Sequence, residues 1–238
     1  MITDFHTHVL PCVDDGSKSV EQSIQMLQKQ AEQGIKRVVA TPHFYPLHDT
    51  PEQFLERRGE SAKQLQEAMA QHAGLPTLLM GAEVYYYRGI SDSEYLPQLC
   101  IENTNSVLIE MPFSDWTEQM YEDLEGIYEK QGLIPIIAHL DRYITPLQKG
   151  KVLNRLMQLP VLIQVNAESF QPYFMRRLML RLIQDGMVHL IGSDCHNLDK
   201  RPPDLSKAVA LIEKHLGKDS LSFIESCENR LFHTATTI

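Results

Sequence analysis

Short aliphatic runs alternate with longer amphipathic ones along this chain, and that alternation limits the folds open to it. The strand candidates lie at residues 2–5, 37–41 ("RVVAT"), 77–83 ("TLLMGAE"), 107–111 ("VLIEM"), 134–139 ("IPIIAH"), 161–165 ("VLIQV") and 188–194 ("VHLIGSD"). Several are apolar almost throughout, as strands covered on both faces of a parallel sheet must be. Helical signals fall between them. Ser19 and Gln22 make a capping box ahead of Val20, Ile24, Leu27 and Ala31, and Gly34 marks the stop. Thr50 caps the next helix, with Pro51 at its first position, leading into Phe54, Leu55, Leu65 and Met69. A third is expected to start around Asp115 and Glu118 and to run through Met120, Leu124 and Ile127 to Gly132. Later helices are expected at 173–184 and 205–216, followed by a short one after Ser220. Seven βα units with short connections predict a barrel-like α/β domain. The competing open, doubly wound sheet lacks a glycine-rich phosphate loop, since no G-x-G-x-x-G follows a strand.

A chain of 238 residues, 43% of them hydrophobic, is long enough for one sizeable core, and the expectation is a single domain over 1–238. A net charge of −9 without a long basic run argues against a broad nucleic-acid-binding face, which needs clustered lysine and arginine. No apolar stretch approaches the roughly 20 residues of a membrane-spanning helix, and the start lacks a signal peptide's basic and apolar regions. Cys12, Cys100, Cys195 and Cys227 are scattered without a C-x-x-C, which predicts a reduced, cytoplasmic protein without disulfides.

The informative residues stand where the strands end. The first run leads into His6-Thr7-His8 and the second into "TPH", with His43. The third ends at Glu83, the fourth at Glu110, the fifth at His139, and the seventh in Asp194-Cys195-His196. Barrels build their sites at the C-terminal ends of strands. Residues i and i+2 of a strand share a face, so His6 and His8 can reach one ion together, and Asp194 and His196 likewise. Singly, each side chain has an ordinary explanation. A lone histidine is a hydrogen-bonded structural residue, Glu110 pairs with an arginine, and Asp14-Asp15-Gly16 forms a turn before a helix. Together they would pool several kcal/mol of unpaired polar burial apiece at one mouth unless cations balance them. Mixed imidazole and carboxylate donors without clustered thiolates suit manganese, iron or zinc. The set is too large for one ion. Two or three ions, adjacent ones about 3.5–4 Å apart, could activate a water and clamp a phosphoryl oxygen.

This H-x-H…H…E…H…D-x-H series resembles the polymerase-and-histidinol-phosphatase (PHP) superfamily, and within it the bacterial capsule and exopolysaccharide tyrosine phosphatases. The stretches that carry the resemblance are "HTHVLPCVDDGSKSVEQS", "ATPH", "GAEVYY", "VLIEMPF", "PIIAHLDRY", "QVNAES" and "SDCHNLDKRPP", in order from residue 6 to residue 203. "DDGS" is the most specific of them. The resemblance implies a distorted seven-stranded, TIM-like (β/α)7 barrel with a three-metal site, usually of manganese. On matching positions, His6, His8, Glu83 and Asp194 would hold the first ion. Glu83 would bridge to a second held by Glu110 and His139, and Asp15, His43 and His196 would hold a third. Arg142 and Arg201 would grip the phosphate. Asp141 departs from the glutamate usual in the family, and an extra residue precedes the H-x-H. Asp14 is then a turn residue or an orienting partner.

The activity so implied is hydrolysis of phosphotyrosine on a bacterial tyrosine autokinase of polysaccharide export, by in-line attack of a hydroxide bridging two ions. A phenolate, of pKa about 10, is a ready leaving group, so little acid help is needed; His43 or a metal-bound water is the candidate to give it. Two competitors share the superfamily: a small-molecule phosphoesterase such as histidinol phosphatase, and a catalytically silent module. A third is cysteine chemistry, since Cys195 and Arg201 match the C-x5-R spacing of cysteine-dependent tyrosine phosphatases. The intervening residues hold no glycine for a phosphate-cradling loop and Pro202 follows, so Cys195 is read as a small buried side chain. Tyr85, Tyr86 and Tyr87 are either ordinary strand and loop aromatics or a rim that stacks on phosphotyrosine, with Phe113 and Trp116 in a similar position after Glu110.

Overall fold

The alternation of strand and helix holds through residues 3–144 and 150–234, which the computed structural model describes. In chain order the elements are β1 (Thr3–Thr7), α1 (Val20–Glu32), β2 (Arg37–Ala40), β3 (His43–Phe44), α2 (Pro51–Met69), β4 (Thr77–Met80), β5 (Glu83–Tyr85), β6 (Ser106–Glu110), α3 (Glu118–Gln131), β7 (Ile134–Ile137), α4 (Gly150–Leu156), β8 (Leu162–Asn166), α5 (Tyr173–Gln184), β9 (Leu190–Gly192), α6 (Leu205–Leu216) and α7 (Lys218–Thr234). Ile2 of the first expected strand lies outside the described residues.

All strand pairs are parallel, in the orders β1-β2-β4 and β3-β5-β6-β7-β8-β9. The sequence predicts seven strands, whereas nine segments form among the described residues. The expected strand over 77–83 is interrupted at Gly81-Ala82, and the one over 37–41 stops at Ala40, with His43 and Phe44 beyond Pro42 forming a short strand that was not expected. Proline has no N–H to give a ladder, but the Pro42 carbonyl still accepts from Glu83 N at 3.0 Å, and Gly81 N donates to Ala40 O at 2.8 Å. At the far edge, Asp194 N donates to His6 O at 2.7 Å and His8 N to Cys195 O at 2.9 Å, so the chain just past β9 meets β1.

The sheet is curled. Phe5, Val39, Leu79, Leu108, Ile136 and Leu190, from six different strands, share one buried cluster. Alternate residues such as Val38, Val107, Ile109 and Ile137 belong to the larger cluster under the helices. Gly192 marks a close approach: a Cβ there would stand 2.5 Å from His6 Cβ and 2.8 Å from Gln164 Nε2.

Helix starts follow the capping chemistry. Thr50 and Gln53 form a reciprocal capping box with Pro51 in the first turn. Ser19 accepts from Gln22 N, while Gln22 Oε1 turns to Lys18 N rather than to its cap. The third helix begins at Glu118 behind Thr117, later than Asp115 suggested. Helix α4 was not expected, because seven residues carry too little periodicity to show. Helix α7 is 17 residues long rather than short. Its Leu231 joins the inner cluster and its Glu228 accepts from Thr3 N, closing the end of the sheet opposite the polar residues. Among the described residues, no helix is long and apolar enough to cross a membrane.

Candidate metal centre

The strand ends bring every sequence-nominated donor into one cluster, buried except for the exposed Asp15 and the partly exposed His43. His6 Nε2 and His8 Nε2 face each other at 3.1 Å. Glu83 Oε2 lies 3.1 Å from the first and 3.3 Å from the second, and Asp194 Oδ1 lies 3.5 Å from both. His139 Nε2 stands 2.8 Å from Glu83 Oε1 and 3.8 Å from Glu110 Oε1. His43 Nδ1 is 3.0 Å from Glu83 Oε2 and 3.8 Å from Glu110 Oε2. On the other side, Asp15 Oδ1 lies 3.5 Å from His43 Nε2 and 3.3 Å from His196 Nε2. Three groups have donors close enough to share an ion: His6-His8-Asp194, His43-Glu83-Glu110 and His8-Asp15-His43-His196.

One expectation needs correction. Asp194 and His196 were expected on one face of a strand, but β9 stops at Gly192 and Asp194 has φ +54°. That left-handed turn breaks the alternation. Asp194 is delivered to His6 and His8, and His196 to Asp15 and His43.

The cluster fits divalent cations on four counts. His6 Nδ1 donates to Gln164 Oε1, a pure acceptor, and His8 Nδ1 lies 2.6 Å from the Asp14 carboxylate. Both Nε2 lone pairs therefore face each other, which is repulsive unless a proton or a cation stands with them. Second, donors on adjacent corners of a shell with bonds of about 2.1 Å lie about 3.0–3.4 Å apart, close to the spacings seen. Third, Glu83 Oε2 and Glu110 Oε2 are buried without a hydrogen-bond partner, a costly state for carboxylates. Fourth, burial and then the Glu83 charge push Glu110 up to about pKa 7, the mark of acids crowded without a counterion.

Neighbours fix the donors. The Asp14 carboxylate holds His8 well above its ordinary pKa although burial pulls the other way. Asp14 also accepts from His43 N and Gly16 N. A Cβ on Gly16 would stand 2.3 Å from His8 O, so only glycine lets this turn press against the histidine. His196 Nδ1 lies 3.0 Å from the Asp194 carbonyl, which can only accept, so the Nε2 lone pair is the one that could meet an ion. Burial, then the nearby His8, pulls His196 down to about pKa 4.

Two arginines converge from separate loops. Arg142 Nη2 lies 2.5 Å and Arg201 Nη2 2.6 Å from Asp194 Oδ2, and Arg201 Nη1 donates to His196 Nε2 at 2.8 Å. Both guanidiniums remain partly exposed at the mouth. Cys195 is fully buried and its thiol is pushed up, by burial first and then by the charge of Asp4. A buried, protonated thiol packed near Gln30 and Asp4 is no nucleophile.

A family model for "Capsular polysaccharide synthesis, CpsB/CapC" matches residues 2–230. The chain belongs to the CpsB/CapC family. It is 27% identical over 240 residues to tyrosine-protein phosphatase CpsB of Streptococcus agalactiae serotype III (strain NEM316), covering 96% of this chain and 97% of that protein. It is 30% identical over 223 residues to tyrosine-protein phosphatase YwqE of Bacillus subtilis (strain 168), covering 91% and 85%. A solved structure from a study of YwqE of Bacillus subtilis and CpsB of Streptococcus pneumoniae, described there as unique metal-dependent tyrosine phosphatases, superposes with a TM-score of 0.84. The identity is 26%, with 98% of this chain and 94% of that one covered.

Sequence reading of this CpsB/CapC chain passed over β8, whose end carries amides rather than ionisable groups. Gln164 accepts from His6 Nδ1 and from His139 N, and Asn166 Nδ2 donates to Asp194 Oδ2 at 2.8 Å. The signal was present, since Gln164 and Asn166 stand at i and i+2 like the H-x-H. Asp141, the departure from the family pattern, accepts from Asn166 N and is pushed up to about pKa 7, chiefly by burial. The three tyrosines divide. Tyr86 is buried with its hydroxyl on Asp123 at 2.6 Å, whereas Tyr85 packs on Tyr45, which stacks on His43.

Proposed function

We infer that the chain is a metal-dependent tyrosine-protein phosphatase of capsular polysaccharide synthesis. The observation that carries this is the meeting of opposed imidazole lone pairs and unpartnered carboxylates with two arginines on one residue, Asp194. The likeness over nearly the whole chain to relatives that bear this activity supports it.

In this reading His6, His8, Glu83 and Asp194 hold one ion, Glu83 with Glu110 and His139 a second, and Asp15, His43 and His196 a third. Manganese is the proposed metal, with iron or zinc as chemically suited alternatives. Bound ions supply Lewis acidity, lowering the pKa of a water from 15.7 to about 7 and polarising phosphoryl oxygens. The chain does the rest. Asp14, Gln164 and the Asp194 carbonyl set the tautomers of His8, His6 and His196. Arg142 and Arg201 exchange Asp194 for the phosphate oxygens, which their planar forks fit. His43, partly open to solvent beside Asp15, would hand a proton to the departing oxygen only where its Nε2 is not holding the third ion.

The rest of the reading follows from these. The fold is taken as a distorted seven-stranded barrel, with β2–β3 and β4–β5 each counted as one interrupted strand and the hydrogen bonds between residues past β9 and β1 as its closure. Residues 1–238 are one phosphatase domain. Four unpaired thiols, two of them buried, suit a cytoplasmic setting. The substrate proposed is a phosphotyrosine protein, a bacterial tyrosine autokinase of capsule or exopolysaccharide synthesis.

The test compares phosphotyrosine peptide with histidinol phosphate as substrates of chelator-treated protein, with and without added manganese. Faster, manganese-dependent turnover of the peptide is expected. Faster histidinol phosphate hydrolysis would overturn the substrate, and turnover untouched by chelation would overturn the metal. A complete donor set disfavours a silent module, which absence of turnover on both would restore.

A further inference from the structure

A cavity of about 240 Å³ opens beside the metal cluster, walled by Phe113, Trp116, Tyr121 and Tyr143, with Arg142 and Lys151 also in its lining. The polar atoms of two of these rings are already engaged. Tyr143 Oη accepts from Met111 N at 3.0 Å, and Trp116 Nε1 donates to Pro112 O at 3.2 Å. Their rings pack on one another, Trp116 lying 5.7 Å from Tyr121 and 5.2 Å from Tyr143 between centroids, and Arg155 covers Tyr121, which leaves Phe113 as the exposed ring of the wall. Trp116 and Tyr121 are buried, but Phe113, three residues past the buried end of β6, is 65% exposed. Its ring lies within 9° of parallel to His139, centroids 6.4 Å apart, and 5.5 Å from that of Tyr143. An exposed aromatic held flat against a site residue is an unpartnered stacking surface.

We propose that this cavity receives the phenyl ring of the phosphotyrosine, with Phe113 as the residue that selects aryl over alkyl phosphates. The proposal rests on the phosphatase reading above and adds the subsite. A volume of about 150 Å³ holds benzene, so the room here suffices for a phenyl ring with its ester oxygen; the aromatic wall faces the ring, while Ser114, Asp115, Arg142 and Lys151 make the rest of the lining polar. Orientation follows from Arg142. Its guanidinium belongs both to the cavity lining and, through Nη2, to the Asp194 carboxylate. A ring seated beside Phe113 with its oxygen toward Arg142 therefore delivers the phosphate to the ligand cluster. The larger cavity of about 530 Å³ at Tyr45, Leu47 and Tyr85 has Arg88 as its cation, with Arg142 and Arg201 absent from its lining. With neither phosphate-gripping arginine in its lining, it suits chain flanking the phosphotyrosine rather than the ring being cleaved.

The chain has a single tryptophan, and it lines the cavity, so occupancy has a direct optical readout. The experiment titrates manganese-loaded wild type, Phe113→Ala, Phe113→Tyr and Tyr45→Ala with phenylphosphonate and with methylphosphonate, neither of which can be hydrolysed. Trp116 emission is followed alongside inhibition of phosphotyrosine peptide turnover. Phenylphosphonate is expected to change Trp116 emission saturably and methylphosphonate to leave it unchanged. Phe113→Ala should weaken phenylphosphonate about tenfold, with methylphosphonate affected less than about twofold, and Phe113→Tyr should restore the difference. An equal loss for both ligands, unchanged phenylphosphonate binding, or loss of aryl preference in Tyr45→Ala instead would overturn the subsite. If wild type bound phenylphosphonate with the Trp116 signal but hydrolysed no phosphotyrosine peptide, the phosphatase reading would fall and the aryl pocket would stand.

Discussion

His8 Nδ1 and Asp14 Oδ2 lie 2.6 Å apart, with His8 fully buried and the Asp14 side chain 5% exposed. Of the two adjacent aspartates, Asp14 is therefore the one turned inward, while Asp15, 67% exposed at its side chain, faces His43 and His196. Asp14 anchors a histidine; Asp15 is free to meet an ion.

Replacing Asp14 by asparagine keeps an acceptor at His8 but removes the charge that raises its basicity. Partners of this kind are worth about 10–100-fold in metal affinity or activity. Asp14→Asn should weaken manganese binding by that order in calorimetric titration and lower turnover in parallel. Unchanged metal affinity would count against His8 as a ligand.

Cys195 and its neighbours separate two chemistries. Cys195→Ala removes a buried thiol packed near Gln30 and Asp4, and should keep most phosphatase activity. His196→Ala should abolish nearly all of it under saturating manganese. The opposite pattern would return the chain to cysteine-dependent catalysis.

Arg142 and Arg201 share one carboxylate oxygen in the free site. Lysine at either position keeps the charge and loses the planar fork. Each substitution should lower kcat/KM for a phosphotyrosine peptide about 10–100-fold, the worth of one charged hydrogen bond of about 1.5–3 kcal/mol. Arg142→Lys and Arg201→Lys should leave the melting temperature within a few degrees of wild type in thermal denaturation.

Far from the site, Glu228 on α7 is pushed up from 4.5 to about 7, by burial above all, although Thr3 N and Arg37 oppose the shift. The folded state then holds this proton more tightly than the unfolded chain. Stability from this group is full below pH about 4.5 and is lost as the pH rises toward 7. Glu228→Gln should therefore melt higher than wild type at pH 8, by up to several degrees, and lose that advantage at pH 5. A variant less stable at both pH values would show that the carboxylate, and not its neutral form, fits the site.

What could be read from the chain came from short-range rules. Period-2 alternation put His6 beside His8. Aliphatic runs placed Glu83, Glu110 and His139 at strand ends, and Ser19, Thr50 and Pro51 started helices where capping chemistry put them. Parallel strands all carry their C-terminal ends to one side, so linear order alone could gather these donors at one mouth. The tertiary structure decided what no period encodes. It stopped one strand at Ala40, interrupted another at Gly81-Ala82 and gave β1 one residue more than β2 between Asp4 and Thr7. It also turned Asp194 out of register with His196. Only folding brought Gln164 onto His6, Asn166 onto Asp194, and Arg142 and Arg201 onto one oxygen. These contacts join residues distant in the chain, and the pairing that offsets the cost of burying charge depends on three-dimensional placement that local propensity does not carry.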